Sequence, residues 1–321
     1  MKDRYGRTID YLRLSITDRC NLRCRYCMPA GCQWLPMGEI LTLEEFVTLS
    51  QTAAQMGIRK LKVTGGEPLV RRGCLELVAA LKQLSGIEQV TLTTNAVELE
   101  RFAPGLRDAG LDGVNVSLDT LDPERFQQIT GFDLLPQVLR GLETALNLGL
   151  KVKINAVLQR GVNEDAWPGL LELARNRRLD VRFIEMMPIG LGKGCPSISN
   201  VDLRAQMEAE YGPLRADNSV HGNGPAVYWR LDGFTGSVGF ISAIHGKFCS
   251  TCNRVRLTST GFLKGCLCYN DGEDLREPLR CGDLEEVRRR FCRVLENKPD
   301  AHCFEQLSQV TELREMSKIG G

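Results

Sequence analysis

The stretch Leu14–Met28, LSITDRCNLRCRYCM, places three cysteines within eight residues and decides how the rest of the chain is interpreted. Cys20, Cys24 and Cys27 form a C-x3-C-x2-C run directly after a segment that predicts a short strand. No fourth cysteine follows at a matching interval, whereas a structural zinc site is closed by four ligands. Three thiolates suit an iron–sulfur cluster with one iron left open to a further ligand. The alternative is a set of structural thiols or half of a zinc site.

The composition indicates a globular protein without a strong overall charge. The chain has 321 residues, of which 43% are hydrophobic, and this is enough to bury a sizeable core. Its 41 lysine and arginine residues balance 40 acidic ones, so we expect neither nucleic acid nor a membrane as a partner. No segment has the apolar length of a signal peptide or a membrane-spanning helix. We therefore expect a cytoplasmic protein whose 13 cysteines are reduced.

Alternating strand and helix patterns predict an α/β fold with a parallel sheet. Six strand-like segments lie at 12–16, 60–64, 90–95, 113–119, 151–157 and 181–186. Five segments with helical periodicity lie between them, at 43–56, 75–84, 98–109, 137–148 and 165–176. The first helix has a capping-box pattern in Thr42 and Glu45. This alternation is typical of a doubly wound sheet or an incomplete (β/α) barrel.

The composition changes in residues 190–225, which are rich in Gly, Pro, Ser and Asn around one predicted helix at 201–210. We place a domain boundary there, which divides the chain into residues 1–215 and 216–321. Short strand-like segments follow at 226–231, 236–241 and 255–258, and a helix is predicted at 283–296. The second part is therefore expected to be smaller and mainly antiparallel.

The predicted strands of the first part have one apolar face and one polar face. Residues two apart in a strand share a face, so each polar set lies on one side of the sheet. The polar positions are Arg13, Ser15, Lys62, Thr64, Thr91, Thr93, Asn115, Ser117, Lys153, Asn155 and Arg182. Burying several unpaired cations is costly, so we expect a wet interior that receives an anion. The alternative is that some cations pair with Asp119 or Glu185, or extend to solvent.

A second group of cysteines lies in the C-terminal region. Cys249, Cys252 and Cys266 form a C-x2-C-x13-C set, again without a clear fourth ligand. On a strand Cys268 would point away from Cys266, so we predict a core thiol, but a turn there could make it a ligand. The other cysteines have no ligand spacing and are expected to be buried thiols: Cys32, Cys74, Cys195, Cys281, Cys292 and Cys303.

Two short motifs offer groups that could contact ligands. Thr64–Pro68, TGGEP, follows the second predicted strand, and its glycines allow the backbone to approach a ligand closely; an ordinary turn is the alternative. Arg254 and Arg256 share one face of a predicted strand beside the second cysteine triad. Paired guanidinium groups next to an open metal site suit a phosphate. A pair of surface arginines is the alternative.

Together these motifs resemble two nested families. The first triad, with Tyr26 between its last two cysteines and GGEP downstream, resembles the radical S-adenosylmethionine (SAM) enzymes. The second triad, the Arg254–Arg256 run and the terminal Gly320-Gly321 narrow this resemblance to the GTP 3′,8-cyclase family of molybdenum cofactor biosynthesis. The similarity covers nearly the whole chain. It implies an incomplete six-stranded (β/α) barrel whose open flank is covered by a C-terminal region with a second iron–sulfur cluster.

The resemblance also implies a chemistry. One [4Fe–4S] cluster reduces SAM to methionine and a 5′-deoxyadenosyl radical, which removes the C3′ hydrogen of GTP. The carbon radical attacks C8 and gives (8S)-3′,8-cyclo-7,8-dihydroguanosine triphosphate. A second [4Fe–4S] cluster holds the guanine, and a separate cyclic pyranopterin monophosphate synthase takes the product. A homodimer is compatible with the sequence, which leaves the oligomeric state open.

Residue roles follow from the motifs that match the family. The first cluster would be held by Cys20, Cys24 and Cys27, and the second by Cys249, Cys252 and Cys266. SAM would contact Tyr26, Gly66, Ser117 and Met187. GTP would contact Arg13, Lys62, Thr93, Lys153, Arg254, Val255 and Arg256. The tail glycines Gly320 and Gly321 would reach into the active site.

The chain departs from the family pattern at three places. Lys62 stands where arginine is common, which keeps the charge but loses the bidentate fork. Ala96 follows Asn95 where glycine is frequent, and Cys268 takes a usually aromatic position. None of these changes removes a cluster ligand. Two other functions remain as alternatives: another radical SAM enzyme with an auxiliary cluster, such as a peptide-modifying maturase, and a non-catalytic zinc-binding protein.

Overall fold

The structure is a computed structural model that describes residues 1–28 and 31–320. Its strands are β1 Tyr11–Ser15, β2 Lys60–Thr64, β3 Gln89–Thr94, β4 Gly113–Ser117, β5 Val152–Val157, β6 Leu179–Ile184, β7 Arg215–Asp217, β8 Val227–Arg230, β9 Val238–Ile241, β10 Arg254–Leu257, β11 Phe262–Lys264 and β12 Glu273–Asp274. Its α-helices are α1 Leu43–Gln55, α2 Cys74–Lys82, α3 Leu99–Asp108, α4 Pro123–Thr130, α5 Leu135–Asn147, α6 Trp167–Glu172, α7 Asn200–Tyr211, α8 Arg276–Arg280, α9 Leu284–Glu296 and α10 Met316–Ile319. Within these described ranges, no helix has the length and apolarity needed to cross a bilayer.

The predicted α/β alternation is confirmed. Strands β1 to β6 pair in sequence order, and every pair among them is parallel. Helix α1 begins with the predicted capping box, in which Thr42 and Glu45 each accept a hydrogen bond from the other's backbone amide. Three short helices, α4, α8 and α10, were not predicted; α4 is polar and lies in the same connection as α5. The mainly parallel sheet with crossover helices therefore follows from the sequence pattern.

The C-terminal strands extend this sheet at both of its edges. The sheet has twelve strands in the order β12-β11-β10-β1-β2-β3-β4-β5-β6-β9-β8-β7. Strands β10 and β9 join β1 and β6 in parallel, whereas the pairs among the other C-terminal strands are antiparallel. The C-terminal region is thus mainly antiparallel, as predicted, and it is divided between the two ends of one sheet. The domain boundary at residue 215 stays a prediction.

The apolar strand face and the helices enclose one large core. Leu12, Leu14, Leu61, Val63 and Val116 are among its fully buried members. The cross-strand register places each of these apolar residues beside apolar partners, for example Leu12 between Leu61 and Val255. Burying a side chain of this size contributes about 1.5–3 kcal/mol. This face is the hydrophobic side predicted from the alternation.

The opposite face of the sheet is concave. Lys62 lies on β2 and Arg182 on β6, and in a flat sheet these strands would be about 19 Å apart. Burial lowers the pKa of Lys62 well below its usual value, and the charge of Arg182 is the next largest cause. Charges on strands four positions apart in a sheet can influence each other only if the strands curve toward one another. The polar face therefore lines a shared interior.

Candidate functional site

The first cysteine triad lies in the loop that follows β1. The Cys24 carbonyl accepts from the amides of Cys27 at 2.9 Å and Met28 at 3.0 Å, which forms a turn between two of the cysteines. The Leu22 amide donates to the Cys20 sulfur at 3.3 Å, and Asn95 Nδ2 donates to it at 3.6 Å. Such hydrogen bonds to sulfur are typical of iron–sulfur ligands.

The thiols of this triad are poor acids while they are unbound. Burial raises the pKa of Cys20 to about 11 and that of Cys27 to about 12, and it raises the pKa of Cys24 well above its usual value. Because a metal binds the thiolate, cluster assembly here must release protons. We therefore expect loading of this site to be favoured by higher pH.

The GGEP motif packs against the cysteine loop. The Gly66 amide donates to the Thr17 carbonyl at 2.7 Å, and a Cβ at Gly66 would lie only 2.4 Å from the Arg19 carbonyl oxygen. Glu67 is buried, and its carboxylate accepts from Thr94 Oγ1 at 2.7 Å and from the Asn95 amide at 2.6 Å. A glycine is therefore required at position 66 by this close backbone approach. Glu67, which follows it, forms hydrogen bonds that connect the end of β3 to the GGEP motif.

Replacing Gly66 by alanine tests this packing. The new methyl group would meet backbone atoms that cannot swing away, so we expect Gly66→Ala to lower the free energy of unfolding by about 1–3 kcal/mol. Gly38→Ala is the matched control, because nothing lies within 4 Å of a Cβ there. Urea unfolding of both variants measures the difference. Equal stability of the two variants would contradict the packing argument.

Three of the residues predicted to contact SAM, Tyr26, Gly66 and Ser117, lie in the cysteine loop or beside it. The Tyr26 hydroxyl donates to Asp119 Oδ2 at 2.7 Å, while Asp119 Oδ1 accepts from the Val157 amide at 2.8 Å. Ser117 is exposed at the carboxyl end of β4, and Met187 is partly buried after β6. The carboxyl ends of parallel strands meet at one edge of the sheet, where ligands of α/β proteins bind. The sequence did not single out Asp119 or Asn95 for this site.

The polar face brings together the cations predicted to bind GTP. Arg13 on β1 is in register with Lys62 on one side and with Arg256 on the other. Burial lowers the pKa of Arg256 well below its usual value, and the charges of Arg13 and Arg254 lower it further. Thr93 on β3 accepts from Asn115 Nδ2 at 3.4 Å. A buried group of like charges is unfavourable without an anion.

Acidic residues neutralise only part of this cationic surface. Lys153 forms an ion pair with Asp180 at 3.4 Å and also contacts the Tyr228 hydroxyl at 3.1 Å. Asp119 and Glu185, the predicted alternative partners, instead bind Tyr26 and His245. Lys62 has no hydrogen bond or ion pair with any residue that the structure describes, although it is 6% exposed. The interior therefore keeps positive charge available for a ligand.

The second cysteine triad lies beside β10. Arg254 Nη2 donates to the Cys252 sulfur at 3.7 Å, and the His302 amide donates to the Cys249 sulfur at 3.4 Å. Burial acts to raise the pKa of Cys252, but the charges of Arg254 and Lys298 outweigh it and lower this pKa to about 6. Val255, a predicted GTP contact, has its side chain in the apolar core, so only its backbone could meet a nucleotide.

Neither triad has the geometry of a mononuclear metal site. In the part of the chain that the structure describes, no three His, Cys, Asp or Glu side chains converge as the ligands of one metal ion do. A zinc ion requires such convergence. In an iron–sulfur cluster each cysteine binds a separate iron, so the sulfurs lie farther apart, and sulfur-directed donors are present at both triads. The donors directed at the Cys20 and Cys249 sulfurs are compatible with thiolates that bind a cluster.

The C-terminal tail lies against this polar interior. Arg256 Nη1 donates to the Gly320 carbonyl at 2.6 Å, and a Cβ at Gly320 would lie 2.8 Å from Ser15 Cβ. The backbone of Ser317 forms a hydrogen bond with Cys27. Ile319 packs in a small core with Cys268 and, at its margin, Cys266. The tail therefore touches the neighbourhoods of both triads, and Gly321 lies outside the described residues.

The tail is held in place by a buried charge group just before it. Glu312 is fully buried and forms ion pairs with Lys264 and with Arg314 Nε, the latter at 2.9 Å. The Glu312 amide donates to the Cys268 carbonyl at 3.2 Å. No sequence motif marks this anchor, which connects residues that are far apart in the chain.

The remaining cysteines are only partly as predicted. Cys268 is fully buried, with its sulfur 3.4 Å from that of Cys303, and Cys74 is also buried. The prediction of buried thiols was wrong for Cys281 and Cys292, which are exposed, and for Cys32 and Cys195, which are only partly buried. Cys281 directly follows α8 and Cys292 lies in α9, and the sequence pattern did not indicate which way a single thiol would face.

Two family models match the chain. The "Radical SAM superfamily" model matches residues 14–174, and the "Molybdenum Cofactor Synthesis C" model matches residues 179–304. The first match contains the end of β1, the first triad and strands β2 to β5, and the second contains the second triad. The chain is therefore a radical SAM protein.

Curated relatives identify the family more closely. The GTP 3′,8-cyclase of Heliobacterium modesticaldum is 46% identical over 328 residues, and that of Clostridium perfringens (strain SM101) is 41% identical over 323 residues; each match covers 100% of both chains. The chain belongs to the GTP 3′,8-cyclase family. A structural neighbour, Streptococcus suis SuiB bound to S-adenosylmethionine, has a TM-score of 0.64 and 16% identity, with 84% of this chain and 64% of that chain covered. At this identity the likeness concerns the fold alone.

Proposed function

We propose that this protein is an enzyme that converts GTP to (8S)-3′,8-cyclo-7,8-dihydroguanosine triphosphate in molybdenum cofactor biosynthesis. One observation carries the proposal: a buried cationic interior lies beside the second cysteine triad, and the C-terminal tail touches the neighbourhoods of both triads. Such an interior suits a triphosphate, and the family relatives are named for a reaction of GTP. The reaction would take place in the cytoplasm, and a separate synthase would use the product as its substrate.

Two [4Fe–4S] clusters would occupy the triads. Cys20, Cys24 and Cys27 would hold the first, which supplies the electron for SAM cleavage when it is bound. Cys249, Cys252 and Cys266 would hold the second. Donors to the sulfurs, such as the Leu22 and His302 amides, support this assignment.

The remaining residues position the two ligands. SAM would lie at the carboxyl ends of the strands, near Tyr26, Gly66, Ser117 and Met187. The hydrogen bond from Tyr26 to Asp119 fixes the ring beside the cysteine loop. We propose that β1 to β6 form an incomplete barrel, since Lys62 and Arg182 influence each other across its interior. The boundary between this barrel and the C-terminal region would lie near residue 215.

The triphosphate would bind the cations of the interior. Arg13, Lys62, Lys153, Arg254 and Arg256 supply charge along the polar face, and Thr93 supplies a hydroxyl group. A hydrogen bond to a charged group contributes about 1.5–3 kcal/mol. Lys62 can give a single charge contact where an arginine would give two hydrogen bonds. The nucleotide would thereby be fixed by its phosphates while the guanine faces the second triad.

This arrangement predicts that affinity depends on the phosphates. We expect reconstituted protein to bind GTP at least about tenfold more tightly than guanosine, since the loss of one charged contact exceeds 1.4 kcal/mol. The affinity for GTP should fall as salt rises, through screening of the phosphates, while that for guanosine changes little. Calorimetric titration of both ligands at low and high salt measures this. Equal affinities at low salt would refute a phosphate site.

The proposed reaction itself is tested by reconstitution. Anaerobically reconstituted protein is given SAM, a reductant and a panel of nucleotides, and products are detected by mass. A cyclised product that forms from GTP and from no other nucleotide of the panel supports the proposal. The structural likeness to SuiB, which has also been solved "bound to precursor peptide SuiA", keeps a peptide-modifying maturase as the second candidate. Bound zinc without iron or sulfide would instead favour the non-catalytic alternative.

A further inference from the structure

Lys298 lies just after α9 and is 3% exposed. Its ammonium group donates to the Cys252 sulfur at 3.5 Å, to the Arg254 carbonyl at 2.9 Å and to the Gly265 carbonyl. An ammonium has three protons to donate, so these contacts use all of them. The side chain therefore points directly at one ligand of the second triad and is fixed there by two backbone carbonyls.

This ammonium group has no carboxylate partner among residues 1–28 and 31–320. Two other buried cations near the second triad do have one: Arg7 pairs with Asp3 at 2.6 Å, and Lys264 pairs with Glu312. A buried charge that lacks a counter-charge is strongly unfavourable. Within the described chain, the only group that Lys298 contacts and that can carry a negative charge is the Cys252 sulfur, so its natural counter-charge is a thiolate-bound cluster.

The segment that carries Lys298 is fixed around this triad. Arg7 donates to the carbonyls of Pro299 and Asp300, each at 2.7 Å, and to the Cys249 carbonyl at 3.0 Å. Two residues after Asp300, the His302 amide donates to the Cys249 sulfur. The position of Lys298 is thus set from both sides, and its charge stays at a fixed distance from the cluster site.

We propose that Lys298 is the built-in counter-charge of the second cluster and that it sets the reduction potential of this cluster. The inference rests on the proposed second [4Fe–4S] cluster. Hydrogen bonds to the sulfurs and nearby charge tune such potentials. A positive charge stabilises the reduced cluster, which is the more negative form. Lys298 acts through the cluster and is therefore a positioning residue. Its positive charge makes the cluster easier to reduce, and it sets the net charge of the cluster's surroundings where the guanine would bind.

Two substitutions separate the charge from the hydrogen bonds. Lys298→Gln keeps N–H donors for the two carbonyls without the charge, and Lys298→Met removes both. Lys82→Met is the matched control, because Lys82 pairs with Asp112 at 2.7 Å, outside the two triads. All three are made in the full chain with Cys20, Cys24 and Cys27 replaced by alanine, so that only the second cluster gives a signal.

The measurements are iron and sulfide content, followed by a redox titration of the reduced cluster by electron paramagnetic resonance. We expect both Lys298 variants to shift the potential to more negative values, with Lys298→Met also losing iron, and the control to match its parent. A loaded cluster with an unshifted potential in Lys298→Gln would overturn the inference while leaving the proposed function intact. A parent protein that binds no iron or sulfide would overturn both. If Lys298→Met does not fold, Lys298→Gln alone decides.

Discussion

Cys24→Ser should abolish SAM cleavage, whereas Cys252→Ser should preserve some of it and lose cyclised product. The first triad lies in the loop next to Tyr26 and GGEP, and without its cluster no electron reaches SAM. The second triad lies beside Arg254, in the C-terminal region. A misplacement of about 1 Å at a reacting carbon can cost about a hundredfold in rate, so loss of the second cluster should uncouple cleavage from cyclisation.

The experiment is chromatography of 5′-deoxyadenosine and cyclised nucleotide after anaerobic reduction, with secondary structure checked first. Cys281→Ser is the matched control, because Cys281 is exposed and belongs to neither triad. It should form both products at the level of the unchanged protein. Normal cyclisation by Cys252→Ser, or SAM cleavage by Cys24→Ser, would show that the division of roles between the triads is wrong.

Removal of Gly320 and Gly321 should abolish cyclisation while fold and iron content are retained. The Gly320 carbonyl accepts from Arg256, a predicted GTP contact, and the residue lies against Ser15 and Thr64 on the polar face. The anchor at Glu312 precedes the deletion and would remain in place. The truncated protein should therefore keep its structure and lose the contact that positions Arg256.

A single substitution refines this test. A Cβ at Gly320 would clash with Ser15, and its φ of +77° is unfavourable for alanine, so Gly320→Ala should also reduce cyclisation strongly. Gly149→Ala is the matched control: its φ is +75°, but nothing lies within 4 Å of the new Cβ. Undiminished product from the truncated protein, measured by mass beside thermal unfolding, would assign the tail no role in the reaction.

Local patterns in the sequence were sufficient for much of the fold. The period-two alternation distinguished the two faces of β1 to β6, because successive side chains along a strand point to opposite faces of the sheet. Cysteine spacing likewise located both triads. The parallel pairing of β10 with β1 could not be predicted, since nothing in residues 254–257 specifies a partner more than 200 positions away.

The parts of the site that were missed have the same physical origin. Lys298 is one lysine in a polar stretch after a helix, and only the folded chain brings it to Cys252. Asp119 and Glu312 are isolated carboxylates whose partners come from other elements. Sequence motifs mark residues that act together within a short segment, whereas these side chains act through contacts made by tertiary structure.

The division of the C-terminal strands between both ends of the sheet affects how the chain folds during synthesis. Strands β1 and β6 are complete early, but their outer partners begin only at Arg254 and Val238. At about 5–20 residues per second, β1 waits on the order of ten seconds or more for β10. The edge of β1 exposes unpaired backbone groups during that time, and the edge of β6 does so until β9 is made; such edges invite aggregation. A nascent chain that stalls between β6 and β9 is therefore the species that most needs a chaperone.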